Sequence, residues 1–476
     1  MDSFDIIAGE MLEKAQIAAA VFQQLNQKET DKIVENVYRA GFNARVRLAK
    51  MAVEETGIGV WQHKVIKNVV ASQMVYDSIR NMKTVGVISE NHQTGITEIA
   101  QPLGPIFAII PVTNPTATVL YKALICLKSR NPVIFSVHRN AVKCGKEAVR
   151  ICYEAAMKAG APDDCLQIVT EHSRELTHAI MTHPGIALIL ATGGTGLVKA
   201  AYSSGNPAIG VGPGNVPVFI DKSADIPFAV ESIISSKTFD NSTICASEQS
   251  IVVEKRIAAK VISEFERQGG YFLDAEQVKK LEKVAIDPAT GHMNAGIVGK
   301  PVAFIADLAG ITLPEDTRLM IAPLDGIGEG YPLSGEILAP VLSFYSCDSY
   351  QDAIKTCIDL NYLGGIGHTA SIYANDENRI AEFARIMNAG RIVVNTPSAQ
   401  GACGGTLNTL TPALTLGCGT GGKNITTENI SANHLINIQR VARRRPNFNW
   451  NNFDDSRYLE KGFTDKDLNS EYYKNQ

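Results

Sequence analysis

The amino-acid sequence predicts an α/β fold with two parallel-sheet units, on three observations. Short apolar runs alternate with helical stretches from about residue 104, the alternation restarts after residue 224, and 476 residues exceed one ordinary hydrophobic core. Such alternation calls for parallel strands joined by crossover helices. The result is a doubly wound sheet whose ligand lies beyond the C-terminal ends of the strands. Hydrophobic residues at 45% and charged residues at 20% suit a folded globular chain.

The first sixty residues read as helices, with Thr30 as an N-cap and Val34, Val37 and Tyr38 on one packing face. GPIFAIIPV (104–112) predicts a strand, followed by a helix near 116–127. PVIFS (132–136) precedes a helix near 142–159, LQIV (166–169) one near 174–182, and IALILA (186–191) one near 197–203. PVFI at 217–220 closes this first series, so a first unit is expected over residues 1–220. After a helix near 224–239 come strands at SIVVE, PVLSFY, ASIY and RIVVN, which give a second α/β unit over 221–405. Residues 404–430 are rich in Gly, Thr and Asn and read as loop. The segment 446–476 reads as a loosely held polar tail.

A formal net charge of -4 offers no basic field for phosphates, so no nucleic acid partner is expected. No apolar run approaches the roughly 20 residues that span a bilayer. The start of the chain, with Asp2, Asp5 and Glu10, lacks the basic and apolar parts of a secretory signal, and a cytoplasmic location is expected. Nine cysteines are scattered with no CxxC pair and no Cys/His grouping at zinc spacing, so no metal is expected.

ATGGTGLVKAA stands at a strand-to-helix junction, where glycines let backbone amides approach a phosphate. It is not the GxGxxG fingerprint, and alone it fits a cofactor turn or an ordinary tight turn. IGVGPGN is equally open. Cys245, in FDNSTICASEQS, falls between a helix and a strand, where a reactive thiol is at home. A small buried hydrophobe is the commoner fate of a free cysteine.

The strings PVTNPTAT, LILATGGTGLVKAAYSSGNPAIGVGPGN, KTFDNSTICASEQS, GGIGHTAS, NTPSAQG and LTLGCGTGGKNITTENI, in that order, resemble the aldehyde dehydrogenase family. The resemblance, over about residues 8–445, is strongest to its coenzyme A-acylating branch and the N-terminal half of bifunctional aldehyde-alcohol dehydrogenases. It implies an aldehyde dehydrogenase-like fold: a doubly wound cofactor domain, an α/β catalytic domain and a small oligomerisation element. That element would comprise a strand near 95–103 and a return segment at 406–445. A homo-oligomer, dimer or tetramer, follows from the same resemblance.

Carried over by motif, Cys245 becomes the nucleophile and Asn114 the oxyanion donor, beside the Cys245 backbone N–H. His368 would serve coenzyme A as acid or base near neutrality. Thr113, Thr192, Gly193, Gly194 and Gly196 would line the cofactor, and Glu336 would bind the nicotinamide ribose. Ser136, His138 and Arg139 occupy the stretch where NAD-specific relatives place an acidic residue, so a 2'-phosphate is tolerated and Arg139 attracts it.

Hydrolytic members carry a glutamate that activates water, and the resemblance puts its position at Gly210, which has no side chain. The resemblance therefore implies aldehyde + CoA + NAD(P)+ giving acyl-CoA + NAD(P)H, reversibly, through a Cys245 thioester. The alternatives are a hydrolytic aldehyde dehydrogenase giving free acid and a non-catalytic assembly protein. Acetaldehyde is the default substrate. Gly421, where the bifunctional group carries tryptophan, leaves sulfoacetaldehyde and succinate semialdehyde open.

Overall fold

The structure, a computed structural model, describes residues 3–444 except 172, 289 and 292, together with 456, 459, 462 and 464–466. The expected polar tail, 446–476, therefore lies largely outside the described residues. Three helices open the chain, Ser3–Gln24, Gln27–Asn43 and Arg45–Thr56. Asn26, not Thr30, caps the second. Its side chain accepts from Glu29 N at 3.0 Å while the Glu29 carboxylate accepts from Asn26 N at 2.8 Å. That reciprocal pair satisfies two orphan donors where Thr30 would satisfy one.

A hairpin of β1 (Gly86–Asn91) and β2 (Ile96–Pro102) leads into a five-stranded parallel sheet. Its strands are β3 (Ile106–Ile110), β4 (Val133–Val137), β5 (Leu166–Ile168), β6 (Leu188–Thr192) and β7 (Ala208–Val211), in spatial order β5-β4-β3-β6-β7. A seven-stranded parallel sheet follows: β8 (Val216–Ile220), β9 (Glu248–Glu254), β10 (Gly270–Phe272), β11 (Leu319–Pro323), β12 (Val341–Cys347), β13 (Gly367–Tyr373) and β14 (Ala389–Val394). Its order is β10-β11-β12-β9-β8-β13-β14. The chain then returns through β15 (Ile436–Ala442), which pairs antiparallel with β2 and completes a three-stranded sheet.

One strand changes sheets relative to the sequence reading. PVFI is β8, inside the seven-stranded sheet between β9 and β13, and the first sheet closes instead with β7. The AIGV of β7 reads as a glycine turn because Gly210 breaks its apolar run. A Cβ at Gly210 would meet Val198 Cγ1 at 2.8 Å, so the glycine marks close approach of the helix Thr195–Tyr202 to the strand.

The helix Pro115–Lys128 is buried along its whole length and packs against β3 and β4. Its Lys122 Nζ donates to Ile109 O and Leu190 O, both at 2.8 Å, tying β3 and β6 together near their C-terminal ends. Strand order reverses at that point, so the crevice expected of a doubly wound sheet opens there.

Candidate active site

The loops that follow β3 and β6 and the loop that precedes β9 line a cavity of about 1190 Å³. That exceeds the roughly 300–1,000 Å³ of common small-molecule pockets and leaves room for an elongated ligand beside a small one. Among the residues assigned from sequence, Cys245, Asn114, Thr113, Ser136, His138, Arg139, Thr192, Gly193, Gly194, Gly196 and Glu336 all line it. His368 does not.

Cys245 follows a run of backbone that few side chains tolerate. Asp240, Asn241 and Ser242 adopt φ of 53°, 51° and 66°, three consecutive left-handed non-glycine residues. The surroundings hold the run in place. Asp240 is fully buried, and its Oδ2 accepts from Lys64 Nζ at 2.9 Å, Lys67 Nζ at 2.5 Å and Thr243 Oγ1 at 2.7 Å. Its Oδ1 accepts from Val60 N at 2.7 Å, and its own N–H donates to His63 Nδ1 at 2.8 Å. Burial alone would raise the Asp240 carboxyl, but the two ammonium groups overcome it and hold it at about 2. These lysines carry no motif, and the sequence reading passed over them.

Asn114 caps the helix Pro115–Lys128 by position only, since its side chain makes no capping bond. It reaches across instead: Nδ2 donates to Thr243 O at 2.9 Å, and Oδ1 accepts from Lys67 Nζ at 2.7 Å. A lysine donor fixes which end of the amide is oxygen. The N–H end is thus directed toward the residues leading to Cys245. The Cys245 thiol itself is pushed up from its ordinary value, first by burial and then by the nearby Glu336 charge.

The glycine turn after β6 is open. A Cβ at Gly194 or Gly196 would meet nothing within 4 Å, and Gly194 is the N-cap of the helix Thr195–Tyr202. Backbone N–H groups at a helix start facing free space suit a diphosphate. Thr192 is held by Lys122 Nζ at 3.2 Å. Ser136 ends buried in β4, whereas His138 and Arg139 are exposed at the rim with Arg174 and His178.

Gly214 joins three residues of the site. Its N–H donates to Glu336 Oε1 at 3.0 Å, and a Cβ on it would stand 2.2 Å from Cys245 O and 3.3 Å from His368 Nδ1. No side chain fits. Burial raises the Glu336 carboxyl to about 7. His368, almost completely buried behind Gly214, is driven down to about 3 by burial and then by the Arg391 charge. It is a neutral imidazole, not one titrating near neutrality. Its Nδ1 pairs with Thr369 Oγ1 at 2.9 Å, and its Nε2 has no partner among the described residues.

Two further sequence expectations change. The Cβ direction at Gly210 points into the helix Thr195–Tyr202, and the β7 residue that faces the cavity is Val211, followed by Gly212 and Pro213. Adjacent strand residues face opposite ways, so Val211 borders the cavity and Gly210 does not. Valine also lacks a titratable group, so the argument from a missing base stands on Val211. Gly421 packs near Ile366, with a Cβ at 3.3 Å from Ile366 Cγ1, and is not among the cavity residues. It gives no ground for a reshaped acyl site.

The described chain matches the family model "Aldehyde dehydrogenase family" over residues 7–269 and 333–408. It is 44% identical over 456 residues to the bifunctional aldehyde-alcohol dehydrogenase of Escherichia coli, covering 95% of this chain and 51% of that one. The chain thus spans about half the length of the first curated relatives it matches. The crystal structure of an acetylating aldehyde dehydrogenase from Geobacillus thermoglucosidasius superposes with a TM-score of 0.90 at 46% identity, over 94% of this chain and 100% of that one. A Rhodopseudomonas palustris propionaldehyde dehydrogenase with bound CoA and an acylated cysteine superposes with a TM-score of 0.81 at 27% identity, over 92% and 97%. With an aldehyde dehydrogenase-like arrangement of parallel sheets and these matches along most of its length, the chain belongs to the aldehyde dehydrogenase family.

Proposed function

We propose that the chain is a coenzyme A-acylating aldehyde dehydrogenase, converting a short aldehyde, CoA and NAD(P)+ to acyl-CoA and NAD(P)H in either direction. One observation carries the reading. Beside Cys245 the wall of the cavity is Val211, Gly212 and Pro213, and the single carboxylate among the described lining residues, Glu336, is bonded to Gly214 N. No side chain there is placed to serve water as a dedicated base, so a Cys245 thioester waits for a thiol.

The residues take these roles. The Cys245 thiolate, its proton given up to solvent, attacks the aldehyde carbonyl, and Asn114 Nδ2 with the Cys245 backbone N–H stabilises the oxygen that becomes negative. NAD(P)+, when bound, supplies the hydride acceptor. Thr192, Gly193, Gly194 and Gly196 hold its diphosphate, Glu336 its ribose, and Thr113, Ser136, His138 and Arg139 the remaining contacts. His368, whose Nδ1 pairs with Thr369 Oγ1 and whose Nε2 has no partner among the described residues, is assigned to the CoA thiol proton. Beside Lys67, Thr243 and Glu336, the lining residues outside the five-stranded sheet and its loops include the apolar Ile244, Val298, Leu338, Leu414 and Leu416, which favours an alkyl aldehyde such as acetaldehyde over a charged one.

The sheet of β1, β2 and β15 is assigned to oligomerisation, because its outer strands keep unpaired edges. All nine cysteines are free, which suits the cytoplasm. The deciding experiment mixes enzyme, acetaldehyde and oxidised cofactor without CoA. The expected result is a burst of reduced cofactor close to one equivalent per site, with turnover resuming on CoA addition. Sustained free acid without CoA would instead make the protein hydrolytic, with Glu336 as the base to test.

A further inference from the structure

Beneath the cysteine loop, two ammonium groups share one carboxylate. Lys64 and Lys67 lie one helical turn apart on the helix Trp61–Val69, both almost completely buried, and both contact Asp240 Oδ2. The helix leaves this turn as a π segment, Val70–Met74, a departure that recurs at functional sites. A cluster with an excess of positive charge is costly to bury unless the charge is used.

Its two lysines are differently engaged. Lys64 Nζ donates to Thr113 O at 2.8 Å besides Asp240. Lys67 Nζ, at the cavity wall, donates to Asn114 Oδ1 at 2.7 Å and Thr243 Oγ1 at 2.8 Å. The contact to Asn114 is to the carbonyl end of the amide whose other end is assigned to the oxyanion. A cation on that oxygen draws electron density from nitrogen, so the N–H becomes a stronger donor, and the amide cannot flip. We propose that Lys67 is a positioning residue for the reaction, orienting and polarising the Asn114 amide so that it stabilises the oxyanion formed on attack by Cys245.

The proposal rests on the thioester chemistry above, and its test separates the two. Wild-type enzyme without CoA must first show the burst of reduced cofactor, and absence of that burst overturns the chemistry itself. Lys67→Met should then slow the burst by tenfold or more, less than the two to three orders of magnitude lost with an oxyanion donor outright. Alkylation of Cys245 by iodoacetamide, followed by mass spectrometry, should stay within about twofold of wild type. That reaction displaces iodide at a saturated carbon and forms no oxyanion.

Adding Lys67→Met to Asn114→Ala should cost nothing further, because the lysine acts through the amide. Lys67→Gln, which keeps an N–H for Asn114 without the charge, should recover part of the rate and serves also if the methionine variant melts early. A burst rate within twofold of wild type for both variants overturns the proposal. So does a parallel loss of alkylation, which would make Lys67 a scaffold of the loop alone, and so does full additivity with Asn114→Ala.

Discussion

The loop that delivers the cysteine and the turn assigned to the cofactor both lie at the cavity, yet they are built in opposite ways. Residues 239–245 are mostly buried, strained through Asp240, Asn241 and Ser242, and held by Lys64 and Lys67 at Asp240. Residues 193–196 are mostly exposed, and the Gly193 N–H reaches Val211 O only at 3.4 Å. Geometry at the nucleophile is thus fixed before any substrate arrives, at a cost in desolvation and backbone strain. Geometry at the turn is left for the ligand to complete. The difference suits a site where the reacting atoms must not wander but two large nucleotide-bearing molecules must come and go.

The largest expected effect attacks the fixed side. Cys245→Ala should lower aldehyde oxidation by about four orders of magnitude or more while cofactor binding, followed by fluorescence titration, stays close to wild type. Residual turnover near the wild-type rate would remove Cys245 from the chemistry. Next in size, Asp240→Asn strands two buried lysines and should cost about 3–5 kcal/mol, seen in thermal or denaturant unfolding. Thr195→Asn, at the exposed turn, should change stability by less than about 0.5 kcal/mol. Equal costs would erase the contrast between the regions. The Asp240 carboxyl sits at about 2, below its ordinary value of 3.8, so its contribution is present above about pH 4. It is lost as pH falls toward 2, and the gap between wild type and Asp240→Asn should close over that range.

Smaller effects probe the open side. The Glu336 carboxyl, raised to about 7, accepts from ribose hydroxyls more strongly once it has lost its proton. Affinity for oxidised cofactor should therefore rise as pH passes upward through about 7 and level off above it, and Glu336→Gln should flatten the profile. A flat wild-type profile would remove Glu336 from ribose binding. The smallest shift is expected at the rim, where Arg139→Ala should reduce the preference for NADP over NAD by about two- to fivefold, as befits an exposed charge. An unchanged ratio of kcat/KM values would mean that Arg139 does not read the phosphate.

Much of this arrangement was legible in the sequence, and the gaps have physical causes. The strands that carry an apolar run, β3, β4, β6, β9 and β12, declare themselves because most of their residues are buried on both faces. Strand β7 did not, because Gly210 interrupts its run, and β8 was given to the wrong sheet because a strand does not name its neighbours. Cys245, Asn114 and Glu336 were reached through motifs and do line the cavity. Lys64, Lys67 and Asp240 were not, since their meaning arises from a contact between helix Trp61–Val69 and a loop about 175 residues away in sequence. His368 was found by motif, but its neutral state follows from burial that no local pattern reports.

Gly214 also has a practical consequence for redesign of the acyl specificity. Its N–H holds the Glu336 carboxyl, and any Cβ on it would run into the Cys245 carbonyl and the edge of His368, so a library that varies it will lose its members to steric failure before selection begins. Leu414 and Leu416, from the long loop that crosses the cavity, carry no such triple duty. Diversity placed there alters what the thiol meets, and leaves the machinery that makes it reactive untouched.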